Sequence, residues 1–290
     1  MTRFLVTGAG GMLGHDLLTV LRDHDVTAAT RAELDITDTA KVRDLVAGHD
    51  VVINAAAWTD VDGAEADEAA ATAVNGAGVA ALAAACAATG ARLVHVSTDY
   101  VFAGDAAGPY AEDAPTAPVN AYGRSKLAGE TAVLGALPDT GYVVRTAWLY
   151  GAHGGNFVRT MLRLAGEREF VDVVDDQVGQ PTWSLELARA LVALADAGAP
   201  AGVYHATAQG QTSWHGLAAA VFAEAGLDPA RVRPTTSAAF VRPAPRPSYS
   251  VLGHDRWAAA GLAPLRPWRA MLAAALADPA FGARPSGGAG

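Results

Sequence analysis

Five short apolar runs alternate with four longer stretches of helical periodicity through the first half of this chain. That alternation leaves little choice of fold. The runs are Arg3–Thr7, Val26–Thr30, Val51–Asn54, Arg92–Ser97 and Tyr142–Ala147; the helical patterns between them are Gly11–Arg22, Thr39–Ala47, Glu68–Thr89 and Ala121–Leu134. The runs are apolar almost throughout rather than at every second residue, as expected of parallel strands covered by helices on both faces. Repeated β-α units wind right-handed into an α/β, Rossmann-type doubly wound parallel sheet. Ligands of such sheets sit at the carboxyl ends of the strands, beside the switch in strand order. The Gly8 turn, Asn54-Ala-Ala-Ala57 and Ser97-Thr98 all fall at strand ends. The fold therefore converges them on one crevice.

Beyond about residue 150 the rhythm loosens. Helical patterns recur at Phe157–Ala165, Leu185–Ala197, Thr212–Ala225 and Trp268–Leu276, with a strand pattern at Gly202–Thr207. Asp175–Thr182 is rich in turn residues, and the prolines of Arg242–Pro247 exclude a regular helix there. The expected organisation is a nucleotide-binding domain at 1–150, with a segment near 182–207 returning to its sheet. Residues 151–181 and 208–282 make a smaller C-terminal substrate-binding lobe, and 283–290 a disordered tail.

At 290 residues, 51% hydrophobic and 18% charged, the chain can bury a substantial core. A net charge of −9 without any basic block argues against nucleic acid or an anionic membrane as partner. The single cysteine, Cys86, lies in an apolar run and reads as inert core. No signal segment opens the sequence, and Ala77–Ala88 is too short and too rich in alanine for a membrane span. These features imply a soluble cytoplasmic protein.

Strand Arg3–Thr7 runs into Gly8-Ala-Gly-Gly-Met-Leu-Gly14, which opens a helix. Glycines at 8, 11 and 14 permit a tight turn and close approach of the backbone to a pyrophosphate, which rests on the helix N-terminus at Met12 and Leu13. An NAD site usually places an acid at the end of the second strand, to bond the ribose 2′-hydroxyl. Here that position reads Ala29-Thr30-Arg31. Arg31 suits a 2′-phosphate, so NADPH is the expected cofactor, with NADH the alternative, and Asp35-Ile36 falls near the adenine.

Tyr122 and Lys126 are four residues apart on a predicted helix, which stacks a phenol and an ammonium on one face. A nearby cation favours phenolate and is expected to lower the tyrosine pKa, so that the residue can pass a proton to a carbinol oxygen. Together with the glycine turn and the hydroxyl residue at Ser97-Thr98, this pair resembles the extended short-chain dehydrogenase/reductase family. Within that family the chain is similar to the dTDP-4-dehydrorhamnose reductases. The resembling strings are Asn54–Glu65, Ser97–Phe102, Tyr122–Glu130, Arg145–Gly151, Asn156-Phe157, Asp176–Thr182 and Arg246–Ser250, and they span most of the chain.

The resemblance implies that Thr98 polarises a carbonyl, with Ser97 in that role if the register differs by one. It makes Tyr122 the proton donor and gives Lys126 the nicotinamide ribose. It adds Ala55, Ala56 and Ala57 to the cofactor side. Thr59, Val61, Asp99, Tyr100 and Trp148 would line the sugar pocket, with Tyr122 at its floor and Arg246 reaching the diphosphate. The implied reaction is NADPH-dependent reduction of the C4 ketone of a dTDP-linked 4-keto-6-deoxysugar, giving dTDP-L-rhamnose. Two alternatives stand beside it: a 4-ketoreductase for another dTDP-keto-deoxysugar, and a non-catalytic relative like the regulatory subunit of methionine adenosyltransferase.

Trp58, Asp60 and Gly63 depart from the family pattern on the substrate side. Some members dimerise through magnesium, and Asp16 and Glu186 fall near two of the acidic positions that hold it. No third carboxylate accompanies them, the eight histidines lack metal-ligand spacing, and no metal-ligand set is assigned. The assembly is expected to be a monomer or homodimer.

Overall fold

A computed structural model describes residues 2–282. Its first half follows the alternation: β1 (Arg3–Thr7), α1 (Met12–Val20), β2 (Asp25–Ala29), α2 (Thr39–Val46), β3 (Val51–Asn54), α3 (Val61–Ala66), α4 (Glu68–Thr72), α5 (Val79–Thr89), β4 (Arg92–Thr98), α6 (Ala121–Ala136) and β5 (Gly141–Thr146). Then come β6 (Leu149–Tyr150), α7 (Phe157–Glu167), β7 (Val171–Val174), β8 (Val178–Gly179), β9 (Thr182–Trp183), α8 (Ser184–Asp196), β10 (Gly202–His205) and α9 (Trp214–Glu224).

The main sheet has the order β10-β5-β4-β3-β1-β2, and every pairing in it is parallel. Successive strands run outward from β1 in both directions, so the order reverses between β1 and β3, where the Gly8 turn lies. Strands β3 and β5 are buried along their whole length, which explains their apolar composition. One core layer packs α1 and α8 on the sheet through Leu13, Leu17, Leu187 and Leu191; the other packs α2 and α5 through Val42, Val46, Leu82 and Cys86. Strand β10 joins the sheet beside β5, at one end of the returning segment anticipated near 182–207.

The stretch Glu68–Thr89 differs from the sequence reading in two ways. It is long and apolar enough to cross a membrane, with 22 residues and mean hydropathy 1.5, yet half of its most apolar window is buried inside the protein. It is also broken by a π-helical turn at Ala73–Gly78. The cause is Asn75, whose amide accepts from Trp58 N (2.9 Å) and donates to Trp58 O (3.0 Å) and Ser125 Oγ (2.9 Å). Such a bulge aims a side chain at the cost of helix regularity. The expected disordered tail, 283–290, lies outside the described residues.

Candidate active site

The glycine turn is built for close approach. Gly8 has φ +70°, and a Cβ there would stand 2.5 Å from Ala56 N. A Cβ on Gly14 would run into the Gly8 carbonyl oxygen. Glycine is thus required at both positions: neither has space for a Cβ, and at Gly8 L side chains also rarely adopt that φ. Helix α1 has no side-chain cap at Gly11, so the N–H groups of Met12, Leu13 and Gly14 face the crevice without intrahelical partners. The donor set fits a dinucleotide pyrophosphate. The Leu13 side chain is core, so its contribution is its N–H alone. Ala55, Ala56 and Ala57 follow β3 half-exposed, with Ala55 N donating to Thr7 O (3.1 Å).

At the end of β2 Arg31 is exposed. Two residues beyond it, Glu33 folds back to accept from Thr30 N and Thr30 Oγ1, both at 2.8 Å. Those two bonds hold its carboxyl below the usual range. Asp35 is likewise held low, first by the Thr37 N–H and hydroxyl and then by the Arg31 charge. Ile36 is buried in the core beneath Gly78, so its side chain is not free to meet an adenine.

Strand β4 gives Ser97 and Thr98 different surroundings. Alternation along a strand sends the two side chains to opposite faces. Ser97 Oγ donates to Glu130 Oε1 (2.6 Å), and Arg145 clasps the same carboxylate at 2.9 and 2.7 Å. This buried trio ties β4 and β5 to α6 and occupies the Ser97 hydroxyl. Thr98 instead adjoins the Tyr122 phenol, donates to Asp99 Oδ1 (3.0 Å) and accepts from Tyr100 N (3.2 Å).

Helix α6 starts at Asn120, whose side chain accepts from Gly123 N (2.8 Å), and it carries Tyr122 and Lys126 on its inner face. The Tyr100 ring packs edge-on against Tyr122, centroids 5.9 Å apart at 80°. The expected lowering of the phenol is not what the structure holds. Burial, and then the Asp99 charge, push Tyr122 up to about 12, with the Thr98 hydroxyl opposing. The phenol is thus fully protonated at neutral pH, as a proton donor must be. Lys126 points inward instead: its Nζ donates to Val96 O (2.6 Å) and stands 3.5 Å from His95 Nε2. Burial brings its ammonium down to about 8, against the pull of Glu130. Asp99, wholly buried, is pushed up to about 6 by the same cause.

The substrate side is assembled from distant segments. Asp60 caps α3 by accepting from Gly63 N (2.9 Å), and a Cβ on Gly63 would strike that carboxylate. The two unusual residues are therefore one feature. Thr59 is exposed and Val61 half-buried at the entrance to α3. Next to Val61, Asp62 accepts from Arg242 (3.3 Å), Ala244 N (3.2 Å) and Arg246 (3.0 Å), and so straps the proline-rich loop to this edge. Burial alone would raise its carboxyl, but those donors prevail and hold it low. Arg246 lies near enough to Tyr100 to act on its phenol.

Trp148 takes a positive φ of 48°. Its ring stacks on Trp214 at 3.6 Å and 5°, and a Cβ on Gly179 would meet it at 2.5 Å. Trp214 covers one face of the indole and the Gly179 backbone lies close against its six-membered ring and Nε1, so less of the ring is free than the flat apolar face expected. Trp214, Asp62 and His95 were not singled out from the sequence, and Asn54 only as a strand end at the crevice; the polar His95 inside an apolar strand was the one signal for the other three.

Asp16 accepts from Ser184 Oγ (2.5 Å) and Glu186 is paired with Arg266. Both acids are committed to protein partners, and among the described residues no three His, Cys, Asp or Glu side chains gather as a metal site. The donor set does not fit magnesium.

Residues 2–280 match the family described as RmlD substrate binding domain. The chain is 59% identical over 278 residues to a dTDP-4-dehydrorhamnose reductase of Streptomyces griseus, covering 93% of this chain and 91% of that protein. It is 55% identical over 274 residues to a dTDP-4-keto-6-deoxy-D-glucose reductase of Streptomyces niveus, covering 93% and 95%. A crystal structure of dTDP-4-dehydrorhamnose reductase from Bacillus anthracis in complex with NADP superposes with a TM-score of 0.91 at 37% identity, over 95% of this chain and 99% of that one.

Proposed function

The chain belongs to the dTDP-4-dehydrorhamnose reductase family, and on that premise we propose that it reduces the C4 ketone of dTDP-4-dehydro-6-deoxy-L-mannose to dTDP-L-rhamnose with NADPH. NADPH supplies the hydride. Gly8, Gly11 and the N–H groups of Met12, Leu13 and Gly14 hold its pyrophosphate, Ala55 to Ala57 flank it, and Arg31 neutralises its 2′-phosphate. Asp35 and the backbone of Ile36 border the adenine. Thr98 turns its hydroxyl from Asp99 to the substrate oxygen, Tyr122 gives that oxygen a proton, and Lys126 supplies positive charge beneath the phenolate left behind. Thr59, Val61, Asp99, Tyr100 and Trp148 enclose the sugar. Arg246, freed from Asp62, takes the diphosphate. The observation that carries this reading is the Thr98–Tyr122 contact at the end of β4, with the phenol held protonated.

The Streptomyces niveus relative favours a second reading, in which the acceptor is dTDP-4-keto-6-deoxy-D-glucose. The Trp58, Asp60 and Gly63 departures on the substrate side are compatible with an altered choice of sugar. The two ketones are to be offered separately with NADPH or NADH, and the product configuration determined. The expected outcome is a kcat/KM at least about tenfold higher for the L-mannose-derived ketone with NADPH. A preference for the D-glucose-derived ketone selects the second reading, and no cofactor consumption with either leaves the chain a non-catalytic relative.

A further inference from the structure

One fully buried neighbour of Lys126 has no part in the reaction as described. His95 stands in β4 at 0% exposure, with Nδ1 2.9 Å from Asn54 Nδ2 and Nε2 3.5 Å from Lys126 Nζ. The direction of each bond follows by elimination. The Ala56 N–H can only donate, and it points at Asn54 Oδ1 (3.1 Å), which also accepts from Thr7 Oγ1 (2.6 Å). That fixes the amide, so its NH2 faces His95 Nδ1. An amide NH2 cannot accept, hence Nδ1 is a bare acceptor. Burial, then the Lys126 charge, hold the ring neutral by lowering it well below the ordinary histidine value. A neutral imidazole carries one proton, and it must be on Nε2, aimed at the lysine.

An ammonium has hydrogens to give and no lone pair to receive. Lys126 therefore finds an acceptor in Val96 O but an opposing N–H in His95. Glu130, one turn along α6, is spent on Arg145 and Ser97. The ionisable groups around the lysine are His95 from β4, Glu130 and Tyr122 from its own helix, and Asp99, which acts on Tyr122 from the turn after β4. We propose that His95 is a positioning residue: its Nε2–H, oriented by Asn54, offers Lys126 no acceptor, so that the lysine's hydrogens are directed to Val96 O and the crevice and the ammonium has no second acceptor from the sheet. The proposal rests on the reduction described above and gives its basic pH limit a structural origin. Burial brings the Lys126 ammonium down to about 8, and the His95 Nε2–H withholds the acceptor that would oppose that shift.

The tautomer is read without substrate or cofactor. Long-range proton–nitrogen NMR spectra of the 15N-labelled protein, with His95 assigned by triple-resonance connectivities, are expected to show a neutral ring protonated on Nε2 from about pH 6 to about pH 9. A proton on Nδ1, or titration within that range, overturns the proposal even if the enzyme reduces its ketone. The second measurement is kinetic. His95→Gln can offer Lys126 an amide oxygen, so the basic limb of kcat/KM is expected to move up by about one pH unit with KM little changed. A uniform loss of activity with the limb unmoved would mean that His95 is only structural.

Discussion

Tyr122 and Asp99 show how burial, more than any neighbouring charge, sets the chemistry of single residues at this strand end. The phenol is kept protonated and the carboxylate is made reluctant to ionise. The Asp99 shift has a thermodynamic consequence whose sign is fixed. Its folded pKa of about 6 exceeds the unfolded value, so between about pH 4 and pH 6 the folded protein binds more protons and stability falls as pH rises. Above that window the penalty is complete, on the order of 3 kcal/mol. Asp99→Asn removes it. The variant's thermal midpoint, relative to the parent, is expected to be several degrees more favourable at about pH 7.5 than at about pH 4.5. A difference independent of pH would show that Asp99 is not strained. At this scale the sequence was a fair guide to identity and a poor one to environment. Tyr122, Lys126 and Thr98 are proposed from type and spacing, whereas the pairing that occupies Ser97 comes from Glu130 and Arg145, which are 33 and 48 residues away in the chain.

Elements were legible wherever a local rule governs them. The apolar runs became β1 to β5 within a residue or two, because the inner strands β1, β3, β4 and β5 are covered on both faces, although the edge strand β2 is largely exposed. Asn120 opens α6 through its own side chain, a signal carried within four residues. The π-helical turn was hidden because its cause, Asn75 bonded to Trp58, spans 17 residues. Two-residue strands such as β6, β8 and β9 have no period to detect. The glycine turn is the element whose local rule is strictest. Gly8→Ala is expected to weaken NADPH binding by more than about tenfold and to lower stability, since its Cβ meets the Ala56 backbone at a positive φ. Gly10→Ala is the control: its Cβ would meet only the Thr30 side chain at 3.6 Å, and affinity should change less than about threefold. Calorimetric titration with NADPH measures both, and equal effects would remove the turn's proposed role.

Over the whole molecule, the substrate side depends on contacts between segments far apart in sequence. Asp62 holds a loop 180 residues away through Arg242, Ala244 and Arg246, and Asn120 Nδ2 anchors the same loop at Pro245 O (2.9 Å). Trp214 backs Trp148 from across the second half of the chain. Periodicity cannot report such pairings, which is why the cofactor side was readable from sequence and the sugar side needed the resemblance. Both sides meet at Tyr122, so the account stands or falls on that phenol. The direct test follows consumption of NADPH with dTDP-4-dehydro-6-deoxy-L-mannose by the parent protein and by Tyr122→Phe, alongside NADPH affinity by titration. The account predicts stoichiometric reduction by the parent, a kcat lower by about two to four orders of magnitude in the variant, and affinity within about twofold. A Tyr122→Phe protein that kept most of its kcat would contradict it.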